Sequence, residues 1–217
     1  MKRIGITGPT GAGKTTALDA LKELGACVID ADAVYHDLLQ SSAPLRSALT
    51  DRFGGEILDK AGKLDRKRMG NVVFQDPAAL AELNGITHRF ILAEIERLCA
   101  QAEAQGRPAA AIDAIALVES GAARRCEAVV GVLAPPEVRI RRIMAREGIP
   151  EDYARRRVEA QQKEDFFRTH CGYILENDGS KTREQFRAEA LALFRKILDG
   201  AGSVSYTHLT LPTSDLV

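Results

Sequence analysis

The 217-residue chain has no net charge, because 30 lysines and arginines balance 30 aspartates and glutamates. No global field therefore recruits nucleic acid or an anionic membrane, and any anion binding must come from local placement of charge. Nor does any run approach the roughly 18 apolar residues of a membrane-spanning helix, and the opening MKRIGITG lacks the apolar stretch of a signal peptide. The four cysteines, Cys27, Cys99, Cys126 and Cys171, are far apart, with no C-x-x-C pair and no neighbouring histidine cluster. That spacing excludes the common zinc motifs and reads as reduced, mostly buried thiols. A guanine-reading N-K-x-D is also missing. These absences predict a cytoplasmic protein with neither nucleic-acid nor membrane partners; separately, a monomer or weak homo-oligomer is expected. What remains is an ordinary globular composition, 45% hydrophobic and 28% charged, long enough for one large domain with a smaller insertion.

RIGIT, a short apolar run ending at a glycine-rich stretch, reads as a buried strand. Ala17, Leu18, Leu21 and Leu24 then recur at helical spacing, with Gly25 where a helix C-cap belongs, and CVID follows as a second strand. From Ala33 to about Ile86 the pattern is helical and polar, interrupted by the turn-rich FGGEILDKAGKLD. Phe90 to Ala102 outline a long helix stopped by Gly106 to Pro108. AAAIDAIALV and AVVGVL are further strands, PPEVRIRRIMAREG and the segment after GIP are helical, YILEN is a last strand, and Thr182 with Gln185 forms a capping box opening a helix to Leu198. Strands alternating with helices predict an α/β fold with a parallel sheet covered on both faces.

Gly8 to Thr15 reads GPTGAGKT, a full match to G-x-x-x-x-G-K-[ST] placed between a predicted strand and a predicted helix. Polyphosphate needs several convergent N–H donors, and glycines let the backbone curl without a Cβ in the way. The following helix adds its unpaired first amides and its positive dipole end. Lys14 can reach the β- and γ-phosphates, and the Thr15 hydroxyl can hold Mg²⁺. A phosphate cradle alone does not say whether the phosphate is transferred.

Asp30 and Asp32 fall at the end of the second strand, where ligands of open α/β sheets bind. Taken alone, Asp32 is equally a helix N-cap or a carboxylate that orients an acceptor hydroxyl; beside a phosphate cradle the second reading gains weight. Arg142 and Arg146 lie four apart, so a helix presents both in one direction, and two guanidiniums closing over a triphosphate would act as a lid. Asp113 is either a buried structural aspartate or a carboxylate near Mg²⁺, bound directly or through water. His36 and His88 have no metal spacing.

In order along residues 1–199, the chain carries GITGPTGAGKT, VIDAD, the block from Phe53 to Pro77, LNGITH, LVES, RIRRIMAREG, RRVEAQ and ENDG. Together these resemble the dephospho-coenzyme A kinase family. The resemblance implies a three-layer P-loop NTPase fold with a parallel sheet, a helical acceptor-binding region at about 33–105 and a helical lid at about 136–168. It implies transfer of the ATP γ-phosphoryl group, with Mg²⁺, to the 3′-hydroxyl of dephospho-CoA. By position, Asp32 matches the catalytic aspartate, and Gly11, Ala12, Gly13, Lys14, Thr15 and Thr16 match the ATP loop. Arg142 matches the nucleotide-contacting lid arginine with Arg146 after it, Asn177 the adenine side, and His88 an acceptor-side position. The chain departs from the family pattern in three places: Arg89 replaces a proline after the histidine, Ile115-Ala116-Leu117-Val118 stands for P-L-L-F, and Cys171-Gly172 replaces A-D before Tyr173.

Two other functions fit the loop: a different P-loop nucleoside or nucleotide kinase, or a non-catalytic ATP-dependent regulatory protein. The Phe53 to Pro77 block argues against the first and the missing switch motifs against the second. After Gly200 the composition changes abruptly to Ser, Thr and Leu, with Asp215 as the only charged side chain. This stretch reads as an appended tail without a role, the alternative being a natural flexible tail. Ending the chain at Gly200 is therefore expected to leave turnover unchanged, and a large loss in a coupled kinase assay would overturn that reading.

Overall fold

The computed structural model describes residues 1–200; the expectation for the tail at 201–217 lies outside the described residues. In chain order the strands are β1 (Lys2–Thr7), β2 (Cys27–Asp30), β3 (Ala109–Asp113), β4 (Ala128–Leu133) and β5 (Tyr173–Glu176). The helices are α1 (Lys14–Glu23), α2 (Ala31–Ser41), α3 (Ala43–Phe53), α4 (Arg66–Val73), α5 (Pro77–Ala104), α6 (Pro136–Glu147), α7 (Glu151–Glu159), α8 (Glu164–His170) and α9 (Arg183–Leu198). All strands pair in parallel in the order β2-β3-β1-β4-β5. The glycine loop leaves the central strand, so it opens where the chain connections diverge to either side of β1.

Alternation along the strands sends side chains to two cores. Ala109 and Ala111 of β3 face the cluster built by α1 and α9, around Leu21, Phe186 and Phe194. Ala110 and Ile112 face the opposite cluster with Ile95 and Cys99 of α5 and Phe167 of α8. The small alanines of β3 let helices lie close to the sheet on both sides. As read from Gly25, α1 closes in a paired turn: Gly25, at φ 87°, donates to the Lys22 carbonyl at 2.9 Å and Ala26 to Leu21 at 3.0 Å. The capping box of Thr182 and Gln185 opens α9 as expected.

Two expectations shift. AAAIDAIALV is strand only as far as Asp113, because β1, its partner, ends one residue beyond the Ile6–Asp113 pair and turns away at Gly8. The chain is instead held by Ala114 donating to the Ile6 carbonyl and the Thr7 hydroxyl donating to that of Ile115. The long helix starts at Pro77, not Phe90, with the Asp76 carboxylate capping Ala78 N–H at 2.9 Å. Its first half packs Ala79 and Leu83 into a separate cluster with α2, α3 and α4, and its second half packs on the sheet. A change of partner midway changes the buried stripe, which is why only the second half was visible as one pattern. Arg89, where the resemblance expects proline, carries the helix through this junction.

Phe194 is fully buried between α9 and the sheet, so Phe194→Ala is expected to lower stability by about 3–5 kcal/mol in urea denaturation. Phe74→Ala, at a side chain 78% exposed, is expected to change it by less than about 0.5 kcal/mol.

Candidate active site

Gly8, Gly11 and Gly13 sit at φ 138°, 83° and 108°, a region that side-chain-bearing residues rarely enter. Space enforces the same choice, since a Cβ would lie 2.2 Å from Val132 O at Gly8, 2.9 Å from Arg139 O at Gly11 and 2.3 Å from Asn177 Nδ2 at Gly13. Helix α1 then starts at Lys14 with no side chain capping its first amides. Those N–H groups form the ready anion site of a helix N-terminus. Lys14 Nζ donates to the Gly8 carbonyl at 2.8 Å, folding the lysine back over the loop, and Thr15 is exposed in the first turn. The loop opens into a cleft of about 440 Å³ reached by Lys14, Thr15, Asp32, Asp113, Arg142 and Arg146.

The two aspartates after β2 separate in role. Asp30, the last strand residue, caps α2 by accepting from Asp32 N–H at 2.9 Å and Ala33 N–H at 3.0 Å. The capping role left open for Asp32 is therefore filled by Asp30, and Asp32 stands exposed in the first helical turn, on the cleft. Asp113 ends β3 in register with both Ile6 and Asp30. Its Oδ1 is buried without a hydrogen-bond partner. Burial pushes its carboxyl up, against the pull of Lys14, and the charges of Asp30 and Asp32 push it further. Burial likewise draws the Lys14 ammonium down, opposed by Asp113 and Asp32. Among the described residues, no three His, Cys, Asp or Glu side chains stand close enough to hold a metal by themselves.

On the other side of the loop, α6 and α7 form a hairpin around Ile140, Ile143, Ala154 and Val158. The Arg142 guanidinium donates to the carbonyls of Gly11 at 3.2 Å and Ala12 at 3.4 Å, and to Asn177 O at 3.3 Å and Oδ1 at 3.0 Å. Asn177, buried, donates from Nδ2 to Ala12 O at 2.8 Å. Arg146 reaches the same cleft and pairs with Glu147 at 2.6 Å, which also holds Arg157. Arg139 and Gln161, which sequence reasoning left without a role, both bond Thr10. Arg139 was recognisable as one turn before Arg142 on the same helix; nothing local marks Gln161.

His88 lies elsewhere, in a second cavity of about 190 Å³ between α2 and α5, with Tyr35, Asn84 and Ser120. Asp32 and Ile115 border both cavities. Ile115, one of the departures, is a 45% exposed apolar residue at their junction.

A five-strand parallel sheet, a lysine-bearing glycine loop and a carboxylate facing it across one cleft define a P-loop kinase. The family model described as dephospho-CoA kinase matches residues 2–183. The chain belongs to the dephospho-CoA kinase family. It is 37% identical over 198 residues to the dephospho-CoA kinase of Corynebacterium efficiens, covering 91% of this chain and 98% of that one. With that of Symbiobacterium thermophilum it shares 36% identity over 202 residues, covering 93% and 84%. The structure of dephospho-CoA kinase from Campylobacter jejuni is similar at TM-score 0.67 and 25% identity, covering 93% of this chain and 100% of that one. Shikimate kinase from Bacteroides thetaiotaomicron, at TM-score 0.53 and 18% identity, covering 91% and 98%, shares the fold. Among the described residues no helix is long and apolar enough to cross a membrane.

Because its folded-state carboxyl is raised above the ordinary value, ionised Asp113 costs stability at neutral pH, and that cost disappears once it is protonated in both folded and unfolded chains. Asp113→Asn is accordingly expected to raise the melting temperature at pH 7 by ~2 °C. The gain should vanish below about pH 4. A lower melting temperature at pH 7 would mean that a partner compensates the carboxylate.

Proposed function

We propose that this enzyme transfers the γ-phosphoryl group of ATP to the ribose 3′-hydroxyl of dephospho-CoA, completing coenzyme A. The observation that carries the residue assignments is the junction of the two cavities at Asp32 and Ile115. The glycine-loop cleft takes the triphosphate; the cavity between α2 and α5 takes the acceptor, with His88 and Asn84 as its polar groups. Residues 33–105 then serve as the acceptor-binding region and 136–168 as the lid.

The triphosphate lies along the amides of Gly11 to Thr16, at the start of α1. Lys14 leaves the Gly8 carbonyl for the β- and γ-phosphates, exchanging a neutral acceptor for anions that favour its charged form against burial. Asp32 orients the 3′-hydroxyl towards the γ-phosphorus and takes its proton as the new O–P bond forms. The bond from that phosphorus to the β–γ bridging oxygen breaks, and ADP departs with the electron pair. Arg146, swinging from Glu147, and Arg142 balance charge spreading over the transferred group. Asn177 supports the loop beneath the nucleotide.

Thr15 and Asp113 would hold Mg²⁺, because one hydroxyl and one unpartnered buried carboxylate oxygen lining the same cleft are the hard oxygen donors this cation takes. When bound, it neutralises charge on the phosphates. Ionised Asp113, disfavoured by burial, would be the oxygen ligand to gain most from such a charge.

A coupled ADP-release assay offered dephospho-CoA, AMP, CMP and pantetheine phosphate separately is expected to show turnover with dephospho-CoA alone. Lys14→Ala should abolish it, and Asp32→Asn should lower kcat by about 10³-fold with both KM values little changed. Equal ATP consumption without an acceptor would overturn the assignment.

A further inference from the structure

The N–H, the carbonyl and the hydroxyl oxygen of Thr10 are each held by Arg139 of α6 or by Gln161 just after α7. Its N–H donates to Gln161 Oε1 at 3.1 Å, its carbonyl accepts from Arg139 Nε at 3.0 Å, and its hydroxyl oxygen accepts from Gln161 Nε2 at 2.8 Å. Arg139, only 5% exposed, also donates to Gln161 Oε1. The amide orientation of Gln161 is dictated by this set, since the reverse would place its NH₂ against two donors. Arg139 lies near the start of the hairpin and Gln161 just beyond its end, so the two ends converge on a single residue of the glycine loop.

Two consequences follow from peptide geometry. In a trans peptide the carbonyl of one residue points opposite to the N–H of the next. Arg139 on the Thr10 carbonyl, and Asn177 with Arg142 on that of Ala12, therefore turn the N–H groups of Gly11 and Gly13 away from these donors. The second consequence concerns the hydroxyl. Gln161 Nε2 can only donate, so the Thr10 O–H proton is left for another acceptor, and Thr10 lines the phosphate cleft.

We infer that Thr10 donates its hydroxyl proton to bound triphosphate and that Gln161, with Arg139, is the positioning residue that presents it. This rests on the glycine loop being the ATP site. Glycine-rich backbone loses much freedom on binding a ligand, and a loop already tied down loses less. Gln161 thus acts on ATP through Thr10.

The test measures ATP affinity by calorimetry without acceptor, alongside both KM values and kcat, for Thr10→Val, Thr10→Ser, Gln161→Ala and the Thr10→Val/Gln161→Ala double variant. Thr10→Val should weaken ATP about fivefold, the loss of one hydrogen bond, while Thr10→Ser stays near wild type. Gln161→Ala should weaken ATP at least as much, and adding Thr10→Val to it should cost no more than about a further twofold. The dephospho-CoA KM should remain unchanged throughout. The inference is overturned if the two losses multiply, or if melting temperature falls while ATP affinity and KM hold. Should Gln161→Ala fail to fold, the Thr10 pair still decides: equal ATP affinity in the valine and serine variants refutes it. Absence of dephospho-CoA turnover in the wild type would instead sink the acceptor assignment and leave the ATP measurements valid.

Discussion

Backbone amides can grip an anion only if their carbonyls are satisfied somewhere else, and this constraint organises the whole catalytic end of the molecule. The carbonyls of Thr10, Gly11 and Ala12 are taken up by Arg139, Arg142 and Asn177, contributed by α6 and by the segment after β5. The Arg139 backbone at Gly11 and the Asn177 side chain at Gly13 come so close that no Cβ fits at either. The glycines thus serve two ends at once: positive φ for the curl, and absence of bulk for the residues that brace it. A loop that looks local in the chain is completed by residues more than a hundred positions away.

Charge is placed in the cleft with similar interdependence. Lys14 and Asp113 are each disfavoured by burial, and each is the main electrostatic relief of the other. Asp30 is occupied by capping α2, which frees Asp32 without moving it from the end of β2. The cleft holds Asp113 and Lys14 partly desolvated, a state that a bound triphosphate and divalent cation would relieve.

One helix changes partners where the two cavities adjoin. The first half of α5 belongs to the helical cluster with α2, α3 and α4, and the second half to the sheet. Where the halves meet, His88 and Asn84 face a cavity that shares Asp32 and Ile115 with the phosphate cleft. Ile115, apolar and exposed, stands between the two.

Much of this was legible in the chain itself. The glycine loop, the capping box at Thr182, the strand AVVGVL and the order of motifs are local or periodic signals, and local backbone physics suffices to read them. The start of α5 and the end of β3 were not, because each is set by which neighbour the element meets. The sequence by itself determined that a phosphate cradle follows the first strand and that Asp32 stands near it. Only the tertiary structure decided that Asp30 does the capping, that Asp113 is left unpartnered, and that Arg139 and Gln161 converge on Thr10. Those facts depend on distances between segments far apart in the chain, which spacing along it does not encode.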